Sequence, residues 1–183
     1  MIIRRKGKLM LLIVLAMVVV LFLISLTRGV VLKVPAFVGF RSESICIYDG
    51  DDGGEKLEVK KKMKIESTKT MEDKVNVVVN ELQKRFSGID LEVVGYDDVS
   101  GKKILMLDLR DKDVSVERYL DAGSTESRIN LGVLVNSLLQ NGRKVSNWVD
   151  GVKILVNGEE SVETSHVNLN EVFYRTSDKV YLQ

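Results

Sequence analysis

The chain has 183 residues, 45% of them apolar, and 27 Lys and Arg nearly balance 26 Asp and Glu. One proline and a charged fraction of 29% are the composition of a packed domain and exclude an extended disordered chain. The single cysteine excludes an internal disulfide, and an aromatic content of 6% is thin for a sugar-binding cleft.

The first element is a membrane segment. From Leu9 to Leu26 the chain reads LMLLIVLAMVVVLFLISL, without a charge and with Ser25 as its only polar residue. A helix needs about 17–25 such residues to cross the hydrocarbon core. A cleaved signal peptide is the competing reading. Its apolar stretch would be shorter, about 7–15 residues, and small residues would mark the cleavage site. The sequence TRGVVLKV that follows lacks an Ala-x-Ala pattern, which favours a retained anchor. Arg4, Arg5, Lys6 and Lys8 precede the span and Arg28 and Lys33 follow it, a bias that keeps the N-terminus in the cytoplasm. The expected organisation is a basic cytoplasmic segment at 1–8, a transmembrane helix at 9–27, a linker at 28–43 and an extracytoplasmic domain at 44–183. Six of the 27 Lys and Arg lie in the first 33 residues, which leaves 21 against 26 acids, about −5, for the exported part. That balance argues against nucleic acid, which asks for a basic face.

Within the domain, SICIY (Ser44 to Tyr48) and LEVKKKMKI (Leu57 to Ile65) read as a β-hairpin broken by YDGDDGGE. Leu57, Val59, Met63 and Ile65 fall on one face at period two, with Lys61 the exception. TMEDKVNVVVNELQKRFSG is a helix. Thr70 and Asp73 have the spacing of a capping box, and Met71, Val75, Val78, Leu82 and Phe86 form one stripe. LEVVGYDDVSGKKILMLDLR (Leu91 to Arg110) is a second hairpin turning at DDVSG. STESRINLGVLVNSLLQNG is a second helix, capped by Ser124 or Thr125 and ended by Asn141-Gly142. Its expected buried face is Leu131, Leu134, Val135, Leu138 and Leu139. A third hairpin begins at Gly151, with Asn157-Gly158 at its tip and ESVETSHVNL returning. This order predicts an α+β fold with two helices packed on one face of a small, mostly antiparallel sheet, preceded by one transmembrane helix.

Few residues carry candidate chemistry. DGDDGGE (Asp49 to Glu55) places Asp51 and Gly54 as a calcium loop would. Gly53 and Lys60 then stand where two oxygen ligands belong, so a solvated turn is the better reading. His166 is the only histidine, and Cys46 lies in an apolar strand that would bury it, which disfavours a Cys46–His166 dyad. Trp148 stands alone, as packing residues do. Lys60 to Lys64 (KKKMK) is a basic run typical of a guarded strand edge, and an acidic partner or lipid headgroup is the other reading. Twenty-six acids always offer carboxylate pairs for glycan hydrolysis, but nothing singles one out. The sequence therefore names no catalytic, cofactor-binding or metal-ligating residue.

The order of these motifs resembles the GerMN domain, a sporulation and germination module of spore-forming Gram-positive bacteria. Leu107-Asp108-Leu109 matches the family's Val/Leu-Asp-Leu strand. Gly123-Ser124 matches the Gly-Ser that opens its second helix, and Gly151 to Gly158 matches its closing hairpin. The resemblance spans roughly residues 44 to 175. Two departures stand out. The family's founding member carries a lipidated cysteine that this chain lacks, so the anchor here would be transmembrane. The connector SLLQNGRKVSNWVDGV is longer than the family's lead into the hairpin and has no proline. The family resembles the ring-building modules of secretion systems. It implies a non-enzymatic role with no catalytic residue to carry over. The expected partners are the lipid bilayer through residues 9–27, envelope proteins of a sporulation complex, and further copies of the chain. A binding module for cell-wall glycan or a small ligand is the alternative.

Overall fold

The computed structural model describes residues 14–18, 42–121, 123–160 and 166–176. The chain divides into two units, residues 1–39 and 40–183. In the first unit residues 14–18 form helix, and the large apolar side chains there, Val14, Leu15, Met17 and Val18, are exposed. Among the described residues no helix is long and apolar enough to cross a membrane. The rest of the span expected at 9–27, the basic segment 1–8 and residues 28–41 of the linker lie outside the described residues.

The second unit opens with β1 (Ser42–Gly50) and β2 (Leu57–Glu66), an antiparallel pair. The linker expected at 28–43 therefore ends earlier, because Ser42 and Glu43 already pair with Glu66 and Ile65. The register shifts between Ile47 and Tyr48, where β2 has one residue more than β1. Helix α1 (Met71–Arg85) starts as the capping box predicts: the Thr70 hydroxyl oxygen accepts from Asp73 N–H at 3.1 Å. Its predicted stripe is buried throughout, with Val75, Val78, Leu82 and Phe86 fully so. Lys61, the exception on β2, reaches Glu81 of this helix at 2.6 Å, and the partner explains a lysine on that face.

Strands β3 (Ile89–Val99) and β4 (Lys102–Asp111) pair antiparallel through the left-handed residues Ser100 and Gly101. A bulge between Val93 and Gly95 turns Val94 outward, leaving it 55% exposed. A short helix α2 (Glu117–Leu120), absent from the sequence reading, leads into α3 (Ser124–Leu139). The capping position of α3 falls on Gly123, with no side-chain cap, instead of on Ser124 or Thr125. Its C-terminal residue Gln140 is left-handed, with φ 52°. Strand β5 (Gly151–Val156) runs parallel to β4 and antiparallel to β6 (Phe173–Tyr174), giving the order β3-β4-β5-β6.

The α+β class and the antiparallel bias hold. The single sheet with helices on one face is corrected to two sheets, and the reason is α3. From Ile129 to Gln140 every residue of that helix is buried except half-buried Leu131, and β1, β2, β5, α1 and α2 all pack on it. A helix buried on all sides belongs in the centre of a domain, not on its surface. The third hairpin is also corrected. Asn157 and Gly158 do turn the chain with φ 51° and 83°, closed by one bridge between Val156 and Glu159. The ladder partner of β5 is then β6, and residues 161–165 of the expected return lie outside the described residues.

Candidate functional site

Two marks of the family resemblance, Asp108 and the Asn157-Gly158 turn, meet at one end of β4 and β5. Asp108, fully buried between core-facing Leu107 and Leu109, is a hydrogen-bond hub. Its Oδ1 accepts from Gly158 N–H at 3.0 Å and its Oδ2 from Arg110 Nε at 2.7 Å. Asn157 completes the join: its N–H donates to Leu109 O at 2.9 Å, and its Oδ1 accepts from Asp111 N–H at 3.0 Å. Arg110 also reaches Glu92 on β3 at 2.9 Å. The Asp108 bond and the Glu92 charge raise the Arg110 guanidinium further above its ordinary value. These residues tie the hairpin tip to the neighbouring strand.

Cys46 lies fully buried on β1, where burial pushes its thiol up and the nearby Arg143 charge opposes only in part. The thiolate needed for nucleophilic attack is therefore disfavoured. Its backbone is gripped by Gln140: Cys46 N–H donates to Gln140 Oε1 at 2.8 Å, and Gln140 Nε2 donates to Cys46 O at 2.7 Å. Tyr48 N–H donates to Ser137 Oγ at 3.0 Å. The side chains of α3 thus occupy the edge of β1 that β2 leaves open. His166, by contrast, is exposed and lines a cleft of about 310 Å³ on another stretch of α3, with Arg128, Leu131, Val135 and Phe173.

The Asp51 carboxylate closes the acidic loop on its own backbone. Asp51 Oδ1 accepts from Lys56 N–H at 3.0 Å and Glu55 N–H at 2.8 Å, and these bonds hold its carboxyl below the usual range. Asp49 Oδ1 accepts from Arg85 Nε at 2.9 Å. Among the described residues no group of three or more His, Cys, Asp or Glu is placed to hold a metal ion. On the basic run, Lys60, Lys62 and Lys64 point to solvent. Trp148 is buried, and its indole N–H donates to Leu138 O at 2.7 Å.

Two features had no sequence signal strong enough to find them. One is the buried ion pair of Lys74 and Glu43, 2.9 Å apart, which joins α1 to β1 and to Ser146 in the connector. The other is a groove of about 400 Å³ lined by Lys102, Arg143, Lys144, Asp150, Tyr174 and Arg175. Its cations come from three separated stretches of chain, so no local run announces it.

Fold and site together define an α+β domain whose conspicuous polar residues hold strands and helices in place. No family model matches the chain, and no curated protein matches it. Among solved structures it is similar to a candidate lipoprotein from Clostridium perfringens, with 13% identity and a TM-score of 0.38. That match covers 73% of this chain and 87% of the other. A likeness this loose carries no argument about fold or function.

Proposed function

We propose that the chain is a single-pass membrane protein that displays a GerMN-like domain outside the cell, as a non-enzymatic structural or assembly component of a sporulation or germination envelope complex. One observation carries this reading. Asp108 and the Asn157-Gly158 turn, two marks of the resemblance lying 50 residues apart, are hydrogen-bonded to each other as parts of one framework. Residues that serve a framework in this way are what a domain acting through its surface requires. The anchor reading draws on the uncharged run from Leu9 to Leu26, its basic flanks and the exposed apolar side chains of residues 14–18.

Cross-linking the full chain in the membranes of a spore-forming host tests the proposal. Covalent adducts with envelope proteins or with further copies of the chain are expected. A chain that stays monomeric, with no envelope protein attached, would sink the assembly role. A second reading, a module for cell-wall glycan or a small ligand, is favoured by the two clefts of about 310 and 400 Å³. It predicts that the protein is retained on purified peptidoglycan.

A further inference from the structure

The groove beside β6 stands apart from the rest of the domain in charge. Lys102 opens β4, Arg143 and Lys144 follow α3, and Arg175 follows β6; Asp150 is the one carboxylate on its walls. The formal charge is thus +3 in a part of the chain that carries about −5 overall. Asp150 is also already engaged, since its Oδ2 accepts from Lys103 N–H at 2.9 Å and its carbonyl from Arg175 N–H at 2.8 Å. Among the described residues, none of the four cations forms an ion pair.

Arg143 and Arg175 are half-buried in the groove wall, whereas Lys102 and Lys144 are exposed. Arg143 Nε itself is closed off from solvent and has no hydrogen-bond partner among the described residues. A guanidinium N–H taken out of water with nothing to accept it is costly, and such atoms are uncommon in native proteins. The groove is otherwise rigidly built. Arg175 Nη2 donates to the Arg143 carbonyl, Gly142 N–H to Thr176 O at 3.2 Å, and Thr176 N–H to Asn141 Oδ1 at 2.9 Å. Lys102 Nζ is held 4.5 Å from the centre of the Tyr174 ring. Burial lowers the Arg175 guanidinium from its ordinary value, and the Asp150 charge only partly opposes this.

We propose that this groove binds a phosphate-bearing anion, with the Arg143, Lys102, Lys144 and Arg175 side chains as its donors. Phosphate suits the arrangement better than carboxylate. It presents oxygens in several directions and up to two charges to cations that converge from separate elements, whereas a carboxylate offers two oxygens in one plane. The volume exceeds that of a single phosphate and leaves room for a second phosphoryl group or a polyol ester. The inference does not depend on the family reading.

Calorimetric titration of the full chain in neutral detergent micelles tests it, with inorganic pyrophosphate in one arm and phosphatidylglycerol doped into the micelles in the other. Saturable binding of one anion per chain is expected in at least one arm. Tighter binding in the doped micelles assigns a lipid headgroup, and equal or tighter binding of pyrophosphate assigns a soluble phosphate. Arg143→Gln should weaken the binding about tenfold or more, the scale of one charged hydrogen bond. Lys69→Gln, in the exposed turn before α1, should leave it unchanged. If Arg143→Gln does not melt like the parent, the exposed Lys102→Gln and Lys144→Gln carry the same comparison. No saturable binding in either arm, or equal binding by all three groove variants, overturns the proposal.

Discussion

Lys74 is a lysine with no exposed side-chain surface, and its position depends on one acid. Its Nζ lies 2.9 Å from Glu43 Oε2 and donates to Ser146 O at 2.9 Å, while Glu43 Oε1 accepts from Ser146 N–H at 3.0 Å. Removing one partner leaves a buried charge uncompensated, so Glu43→Ala should cost about 3 kcal/mol in urea unfolding. Burial pushes the Glu43 carboxyl up, but hydrogen bonds from the Ser146 hydroxyl, Lys74 and Ser146 N–H together hold it below its ordinary 4.5. A carboxyl whose folded pKa is depressed stabilises fully above its unfolded value and loses that contribution as pH falls through the folded value. Stability should therefore drop below pH 4.5 in the parent, and drop less steeply in Glu43→Gln, read from urea midpoints across that range. In the other sheet, Asp108→Ala strips the Gly158 N–H of its acceptor and leaves Arg110 Nε with Glu92 alone. A loss of about 1–3 kcal/mol is expected. A change confined to an activity, with stability intact, would contradict the framework role.

At the scale of elements, the edge of β1 is the decisive feature. Gln140 both gives and receives a hydrogen bond at Cys46, as a neighbouring strand would, and closes the edge against further pairing. Gln140 is also left-handed, a conformation that glycine adopts more easily. Gln140→Gly should therefore relieve backbone strain yet still destabilise by about 1–2 kcal/mol. Faster amide exchange at Cys46 would locate the loss at the strand edge. Gly151 joins β5 to β6 at close range. A Cβ there would meet Ile104 Cδ1 at 2.7 Å, Val172 Cγ1 at 3.0 Å and the Phe173 carbonyl at 3.2 Å. The Ile104 end can move, but the backbone carbonyl cannot. Gly151→Ala should lower stability by about 1–3 kcal/mol and loosen the β5–β6 pair, seen as faster exchange of their amides. Elements set by local pattern were readable in advance. Thr70 with Asp73 marked the start of α1, and Asn157-Gly158 marked a turn. Helix α2 and strand β6 escaped because four residues and two residues carry no period.

For the whole molecule, the central question is what α3 does. It is the common wall of both sheets, with Ser137 and Gln140 turned to β1 and Leu134, Val135 and Leu138 fully buried or nearly so. The groove of Lys102, Arg143, Lys144 and Arg175 is the surface where the charge of the domain reverses.

The sequence by itself determined the apolar N-terminal run, the α+β class, most strand and helix positions, and the stripe of α1. Each of these depends on residues close together along the chain, through periodicity, capping or turn chemistry. Only the tertiary structure decided that the strands form two sheets, that Glu43 neutralises Lys74, and that β5 pairs with Phe173–Tyr174 instead of its own return. Those outcomes depend on groups 20 to 100 residues apart that meet only when the core closes, and hydrophobic pattern does not encode which polar side chain will meet which edge. The charged groove belongs to the same class, since its cations share a wall without sharing a segment.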